Sequence, residues 1–403
     1  MAETTLNEVM EFIEENDVKF IRLAFCDYRG TQKNVSVMPE ELKTAVERGE
    51  PFDSFRIEGF DDQKHQDLFL SPDLSTMCIL PWRPQEGRVL RFYCDVITAD
   101  GTPYFLDPRS ILKDTIAQCK KLDFKPRIGL NCEFYLFRTD EEDNPTLIPW
   151  DQGRCYDITP LDRGENIRRE ICLTLEQMGI HPESSHHEEG PGQNEIDFRY
   201  SDALSAADNT MVFQRVAKIV ANRNGLAADF SPKPLKHGPG NGFHINLSVT
   251  PSDDHEKMRS MIAGILERVC EMSVFLNPTE NSYLRFGQSR APRYISWSEE
   301  NRSQLIRIPA ALGEYRRMEL RSPDPSANPY IAFTLLIYAA LEGMDKKMPL
   351  KDAVDENLYD APEELLAELG RLPSSLDEAR RAALASEFIN RYIPGNIIDL
   401  YCR

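Results

Sequence analysis

Two groups of side chains in this sequence have the types needed for chemistry on charged substrates. One offers carboxylate oxygens and a single imidazole, a donor set that suits Mg²⁺ or Mn²⁺, and consists of Glu133, Glu188, Glu195, His244 and Glu319. The other offers planar donor forks for carboxylates and phosphates, and consists of Arg285, Arg302, Arg307, Arg317 and Arg321. Divalent cations beside converging arginines suit phosphoryl transfer, because its transition state spreads negative charge over the transferred group. The sequence has no G-x-x-x-x-G-K-[ST] loop, so arginines and cations would have to hold the phosphates of any nucleotide.

Four segments with strictly alternating side chains carry most of these residues. They are 127–137, 193–200, 243–249 and 317–321. In each, apolar side chains share one face and polar side chains share the other, which predicts antiparallel strands. For a single strand, a solvated polar face is the simpler interpretation. Four strands whose polar faces carry Glu, His and Arg favour instead a cavity that holds cations and anions together.

The first hundred residues predict a small α+β unit. We expect a strand at 17–25, a turn at 27–30, a second strand that reaches Val37, and a helix between Pro39 and Gly49. Asp107 would cap a further helix that has Pro108 in its first turn. We therefore place a domain boundary near residue 105, with domains at 1–105 and 106–403.

The composition is typical of a globular protein and excludes several functional classes. The 403 residues are 41% hydrophobic and 28% charged, which allows two or three domains. The formal charge of −19 argues against a nucleic-acid partner, because that affinity depends on Lys and Arg. The longest apolar run, 330–341, is too short to cross a bilayer and predicts a buried helix. The nine cysteines form no C-x-x-C pair and the N-terminus lacks signal-peptide features, so we expect a cytoplasmic location and no membrane partner.

Long motifs follow one another along nearly the whole chain. They are Phe52-Asp53 with DLFLSPD at 67–73, HEEGPGQNE at 187–195, PKP at 232–234 with GNGFH at 240–244, NPT and NSYLR at 277–285, NRS and IRIP at 301–309, and RMELRSPDPSANPY at 317–330. Together they resemble the glutamine synthetase family, in particular its bacterial type I lineage. The resemblance implies an α+β fold, with an N-terminal β-grasp domain and a larger catalytic domain built on a curved antiparallel sheet.

The resemblance also implies an activity, namely ATP-dependent ligation. A substrate carboxylate would attack the γ-phosphorus of ATP, and an amine would displace phosphate from the acyl phosphate. Mg²⁺ or Mn²⁺ would be present at two or more positions per site. By resemblance, the first position is held by Glu133, Glu188 and Glu195, and the second by His244 and Glu319 with Asn131.

The other residue roles follow from the same resemblance. The ATP phosphates would be bound by Arg302 (also expected to be catalytic), Arg307, Arg317 and Lys233. The amino-acid substrate would be bound by Arg285 and Gly240, and Arg321 would hold the carboxylate being activated. Asp53, also expected to be catalytic, would reach into the active site from a neighbouring subunit of a homo-oligomeric ring. The expected partners are therefore an amino acid, an amine, ATP and further copies of this chain.

The sequence departs from the family pattern inside the site itself. Asn131 stands where the family strand has a glutamate, so the second cation position loses a negative charge. The flap after Arg285 is one residue shorter and has Arg290, counted among the catalytic candidates, where the family has a glutamate that helps deprotonate ammonia. Pro239 stands where an asparagine contacts bound glutamate.

One further difference and one further resemblance lie outside the site. The chain stops at Arg403, so by the resemblance the C-terminal extension that helps join two rings in type I enzymes is truncated. Tyr359 resembles the adenylylated tyrosine of some relatives, and we interpret it as a surface loop residue.

Three hypotheses remain open. The first is a ligase that uses an amine other than ammonia or an altered acid, in which Arg290 pairs with an extra anionic group on the acceptor amine or on the donor. The second is ordinary glutamine synthesis from ammonia, which the retained Asp53 favours. The third is a catalytically silent ring with a binding or structural role. Against the third, a silent protein has no physical reason to retain these acids and arginines.

Overall fold

Two β-sheets, one in each of two units, organise the chain. The computed structural model describes residues 4–60, 67–249, 254–288, 290–310 and 316–403. The first unit comprises residues 1–114 and 176–180, and the second comprises 115–175 and 181–403. The boundary that we predicted near residue 105 stays a prediction.

The first unit combines a five-stranded sheet with short helices. Its elements are α1 (Leu6–Glu15), β1 (Val18–Cys26), β2 (Gln32–Val37), α2 (Leu42–Arg48), β3 (Glu50–Asp53), β4 (Asp67–Ile79), β5 (Arg88–Ile97) and the start of α3 (Pro108–Cys119). The strand order is β2-β1-β5-β4-β3, in which only the β1–β5 pair is parallel. Helix α1 begins with a capping box formed by Thr5 and Glu8 and buries Val9 and Ile13.

The second unit is built around one long central strand. Its elements are β6 (Arg127–Thr139), β7 (Pro145–Pro149), α4 (Glu165–Gln177), β8 (Pro182–His187), β9 (Gln193–Asp202), α5 (Ala203–Arg223), β10 (Leu226–Asp229), β11 (Phe243–Ser248), α6 (His255–Leu276), α7 (Glu280–Tyr283), β12 (Trp297–Glu299), β13 (Ile306–Ile308), β14 (Met318–Leu320), α8 (Pro329–Asp345), α9 (Glu363–Glu368), α10 (Leu376–Leu384), α11 (Glu387–Tyr392) and α12 (Gly395–Cys402). The strand order is β12-β13-β14-β11-β6-β9-β8, and β7 and β10 pair with the far end of β6. The predicted α+β class and all four alternating strands are confirmed.

The apolar face of this sheet is covered by helices. Phe134 of β6 packs on Phe213 of α5, with ring centroids 5.9 Å apart. Behind them, α6 and α8 approach so closely that a Cβ atom on Gly264 would lie 2.3 Å from the carbonyl oxygen of Ala339. The buried helix predicted at 330–341 lies within α8. No helix among the described residues is long and apolar enough to span a membrane.

Strand register, rather than chain order, brings the polar side chains together. Across β6 and β9, Asn131 is paired with Asp197, and Glu133 with Glu195. On the other edge of β6, Asn131 is paired with His244 of β11. Farther along, Asn246 is paired with Glu319, and Glu319 with Arg307. Because side chains alternate across a strand, these pairings assemble one continuous polar face.

Candidate active site

The polar face of the second sheet lines a cavity of about 600 Å³. Six of its lining residues are the predicted cation ligands Asn131, Glu133, Glu188, Glu195, His244 and Glu319. The predicted anion-binding residues that line it are Gly240, Arg285, Arg290, Arg302, Arg307, Arg317 and Arg321. The polar faces of these strands therefore surround a shared cavity, and the simpler interpretation of a solvated face is wrong here.

Buried and half-buried carboxylates crowd one side of the cavity. Glu133 accepts hydrogen bonds from the backbone N–H of Gly242 at 2.8 Å and from Nε2 of Gln193 at 3.1 Å. Burial and the nearby Glu188 raise the pKa of Glu133 to about 7, and burial with Asp197 and Glu133 raises the pKa of Glu195 well above its ordinary value. Uncompensated negative charges in a buried place are unfavourable. A divalent cation would relieve the repulsion between these carboxylates, and carboxylate oxygens are the ligands that Mg²⁺ and Mn²⁺ prefer. Glu133, Glu188 and Glu195 therefore fit a divalent cation.

Arginines surround the acid on the other side of the cavity. The two carboxylate oxygens of Glu319 accept hydrogen bonds from Arg307 and Arg321, each at 3.0 Å. Burial would favour the protonated acid, but Arg321, His244 and Arg307 hold the pKa of Glu319 at about 2. Nδ1 of His244 lies 3.5 Å from Glu319, while burial and Arg321 lower the pKa of this imidazole to about 3. Glu319 is thus an ionised carboxylate that is already neutralised by guanidinium groups.

Two asparagines connect the acidic and basic sides. Nδ2 of Asn131 donates to Glu195 at 3.2 Å and also to Asp197. Oδ1 of Asn131 accepts from Nδ2 of Asn246 at 2.7 Å. Oδ1 of Asn246 in turn accepts from Nε of Arg317 at 3.1 Å.

A buried arginine provides the clearest site for an anionic substrate group. Arg285 is 2% exposed and donates to the carbonyl oxygen of Ser322 at 3.0 Å. Its Nε, like Nε of Arg321, is buried without a hydrogen-bond acceptor among the described residues. A Cβ atom on Gly240 would lie 2.5 Å from Cγ of Arg285 and 2.7 Å from the carbonyl oxygen of Pro232. Gly240 therefore has to be glycine for the Arg285 side chain to occupy this position.

In the flap after Arg285, position 290 carries a guanidinium group instead of a carboxylate. Arg290 is exposed and has a φ of 63°, in the left-handed region that is unusual for arginine. In the part of the chain that the structure describes, Arg290 has no carboxylate within ion-pair distance. Arg302 is likewise exposed and lines the cavity.

The remaining predicted residues lie around the cavity or elsewhere in the fold. Lys233 is buried beside the Gly240 loop, where Nζ donates to the carbonyl oxygen of Gly238 at 2.7 Å. Pro239 lines the cavity, and its carbonyl oxygen accepts from the Tyr135 hydroxyl at 2.9 Å. Asp53 is exposed at the end of β3 in the first unit, where it contacts Arg56 at 3.3 Å. The entry of Asp53 into the site of a neighbouring subunit stays a prediction.

Tyr359 lies in a turn, as the surface-loop interpretation requires, and is 40% exposed. Burial raises the pKa of its phenol to about 12, although Arg321 and Arg290 act in the opposite direction. The phenol is therefore within electrostatic reach of two cavity arginines.

Sequence reasoning did not select three residues that the structure places in the site. Asn246 and Asp197 line the cavity, and Gln193 bridges Glu133 to the carbonyl oxygen of Gly240 at 3.1 Å. All three were on the polar faces of the alternating segments. The alternation of polar and apolar residues indicated the face on which these three residues lie. It does not distinguish the polar residues that line the site from those that do not.

Comparison with known proteins identifies the family. Residues 105–403 match the family described as glutamine synthetase, catalytic domain, and residues 17–99 match glutamine synthetase, beta-Grasp domain. The chain belongs to the glutamine synthetase family. It is 41% identical to the glutamine synthetase of Clostridium saccharobutylicum, with 99% of this chain and 94% of the relative aligned. It is 40% identical to that of Methanosarcina mazei, with coverage of 99% and 92%.

Solved structures show the same fold. A structure titled as a GmaS/ADP complex matches with a TM-score of 0.88 and 28% identity, covering 97% of this chain and 93% of the other. The cryo-EM structure of Plasmodium falciparum glutamine synthetase matches with a TM-score of 0.86 at 22% identity, covering 100% and 95%. The predicted β-grasp domain and catalytic domain are confirmed. As a member of this family, the protein is an ATP-dependent ligase, and the family uses ATP and divalent cations.

Proposed function

We propose that this glutamine synthetase relative activates the side-chain carboxylate of glutamate or a glutamate-like acid and joins it to an organic amine rather than to ammonia. Arg290 is the observation that carries the proposal. Residues 286–292 contain no carboxylate, and a guanidinium cannot accept a proton at ordinary pH. The flap therefore offers an anion-binding group where deprotonation of ammonia would need a base.

The contacts of the arginines support roles for them in acid activation. Arg285, whose Nε has no acceptor in the described chain, would bind the α-carboxylate of the acid. Arg321 would hold the carboxylate being activated. The ATP phosphates would be bound by Arg302, Arg307, Arg317 and Lys233, and the likeness to a GmaS/ADP complex supports nucleotide binding in this fold.

The cation would be held by Glu133, Glu188 and Glu195 and, when bound, would offset phosphate charge during transfer. The raised pKa values of Glu133 and Glu195 support this assignment. We also place the protein in the cytoplasm as a homo-oligomeric ring in which Asp53 of a neighbouring subunit contributes to each site.

Ordinary glutamine synthesis is the second candidate. The specific observation in its favour is 39–41% identity to curated glutamine synthetases over nearly the whole chain. The same residues would activate the acid in either case, so with glutamate as the acid the two candidates differ only in the acceptor.

The deciding experiment measures phosphate release from ATP with Mg²⁺ or Mn²⁺ and glutamate, across ammonium and a panel of organic amines, with a no-amine control. Turnover with an organic amine above ammonium supports the proposal, and mass spectrometry of the γ-glutamyl amide would confirm the product. Turnover with ammonium above every other amine would instead establish a glutamine synthetase. No turnover with any amine, despite ATP binding, would favour an altered donor acid or the silent ring.

A further inference from the structure

The second expected cation position, at His244 and Glu319 with Asn131, is the part of the site that fits a cation least well. Glu319 is the only carboxylate among these three side chains, and its two oxygens already accept hydrogen bonds from Arg307 and Arg321 at 3.0 Å. Two guanidinium groups and one carboxylate give this position a net positive charge. A divalent cation would be repelled there, because like charges in a poorly solvated place interact strongly.

The asparagine amides form a chain of hydrogen bonds with a single direction. Nε of Arg317 donates to Asn246 at 3.1 Å, Asn246 donates to Asn131 at 2.7 Å, and Asn131 donates to Glu195 at 3.2 Å. Asn131 also donates to Asp197. Each amide therefore turns its oxygen toward the arginine and its NH₂ group toward the acids. Aligned hydrogen bonds of this kind polarise one another.

The strand register explains why the residue type at position 131 matters. Asn131 lies between Asp197 on one neighbouring strand and His244 on the other. A glutamate at this position would add a third carboxylate beside Asp197 and Glu195, and a cation would be needed to relieve the repulsion. An asparagine supplies donors to both acids and creates no such need. Asp197 is also bonded by the Ser184 hydroxyl, so its oxygens are engaged on both sides.

We propose that the Arg317–Asn246–Asn131 relay replaces the second protein-held cation, so that the chain by itself binds one Mg²⁺ or Mn²⁺, at Glu133, Glu188 and Glu195. These residues act before any acceptor arrives. The number of cations bound by the chain therefore does not depend on whether the acceptor is ammonia or an organic amine.

In the test, the full chain is first freed of bound metal and then titrated with Mn²⁺ in the absence of nucleotide. The number of Mn²⁺ ions bound per chain is measured. Electron paramagnetic resonance of free Mn²⁺ gives the stoichiometry, and calorimetry gives the affinity. The wild type is expected to bind one ion per chain. Asn131→Glu and Asn131→Asp are expected to bind two, since each restores a carboxylate at this position.

Asn131→Gln is the matched control, because it has the length of glutamate without the charge, and it is expected to keep a stoichiometry of one. Two ions of similar affinity in the wild type would overturn the proposal. So would a stoichiometry of one in whichever acidic variant retains the circular dichroism spectrum and assembly state of the wild type. The use of two acidic variants keeps the test valid if one of them fails to fold.

Discussion

Arg321 donates a hydrogen bond to the backbone carbonyl oxygen of Arg290 across 3.3 Å. The same guanidinium donates to Glu319 at 3.0 Å. The flap residue and the proposed carboxylate-binding arginine are therefore joined directly, and the backbone of Arg290 has a positive φ of 63° at this contact. Such a backbone costs arginine on the order of 1 kcal/mol, which the contact helps to offset.

Replacing Arg290 should change the choice of amine. Arg290→Glu returns a carboxylate to the flap, so the ratio of kcat/KM for ammonium to that for the best organic amine should rise by about tenfold or more. Arg290→Ala should lower kcat/KM for the organic amine without improving ammonium. Arg290→Lys keeps the charge and serves as the control. An amine preference that is untouched in both Arg290→Glu and Arg290→Ala would remove Arg290 from acceptor recognition.

Gly240 should prove intolerant of even one methyl group. In Gly240→Ala the new Cβ would lie 2.5 Å from Cγ of Arg285, so this side chain must move. Because Arg285 is proposed to bind the acid, KM for the acid should rise by about tenfold or more. Steady-state kinetics at saturating ATP would measure the change.

Gly238→Ala provides the neighbouring control for Gly240. Its Cβ would meet side-chain atoms of Leu235 and Tyr135 no closer than 3.1 Å, so its effect on KM for the acid should be much smaller. Equal KM values in both variants would show that Gly240 does not position Arg285.

The alternating periodicity of the sequence predicted the four strands and the face on which the chemistry lies. It could not predict which acids and arginines neutralise one another, because that depends on register between strands distant in sequence, such as Glu319 beside Arg307. The same limit applies to Asn131, whose neutral side chain indicated only a lost charge. Its bonds to Asn246 and Asp197 come from pairing with β11 and β9.

The family resemblance identified individual site residues, whereas the periodicity identified only a face of the sheet. The resemblance assigns a role to a residue only because of its position in a motif. Lys233, expected at the ATP phosphates, donates to the carbonyl oxygen of Gly238 and to Gln288 in the structure. Asp53 lies in the first unit. The roles of these two residues stay predictions, because the first depends on bound nucleotide and the second on a neighbouring subunit.

Removing the charge of Glu319 should destabilise the protein and increase its affinity for anions. Glu319→Gln preserves the shape but leaves Arg307 and Arg321 without their shared carboxylate, at a cost of about 3–5 kcal/mol for a buried pair. Thermal unfolding with and without sulfate would show a lower Tm and a larger stabilisation by sulfate. Glu299→Gln is the control, since the Glu299 side chain is 65% exposed in its contact with Arg316 and pairs with an exposed partner contribute little. An unchanged Tm would show that the arginines do not depend on Glu319.

Asp151 should contribute stability that depends on its charge. Its carboxylate accepts from Nε2 of His187 at 2.8 Å and from the backbone N–H groups of Gly153, Gly192 and Arg163. Burial alone would raise its pKa, but the hydrogen bonds from His187 and Arg163 lower it to about 2.

An acid with a lowered pKa in the folded state stabilises the fold above its unfolded pKa near 3.8, and this stability is lost as the pH falls toward 2. Asp151→Asn should therefore lower the free energy of unfolding by about 2.5 kcal/mol at pH 7, and the difference from wild type should shrink below pH 4. Urea unfolding at several pH values would measure this, with Glu141→Gln at the exposed β6–β7 hairpin tip as the control. A difference that stays constant between pH 7 and pH 3 would show that the charge of Asp151 is not what stabilises the segment next to Glu188.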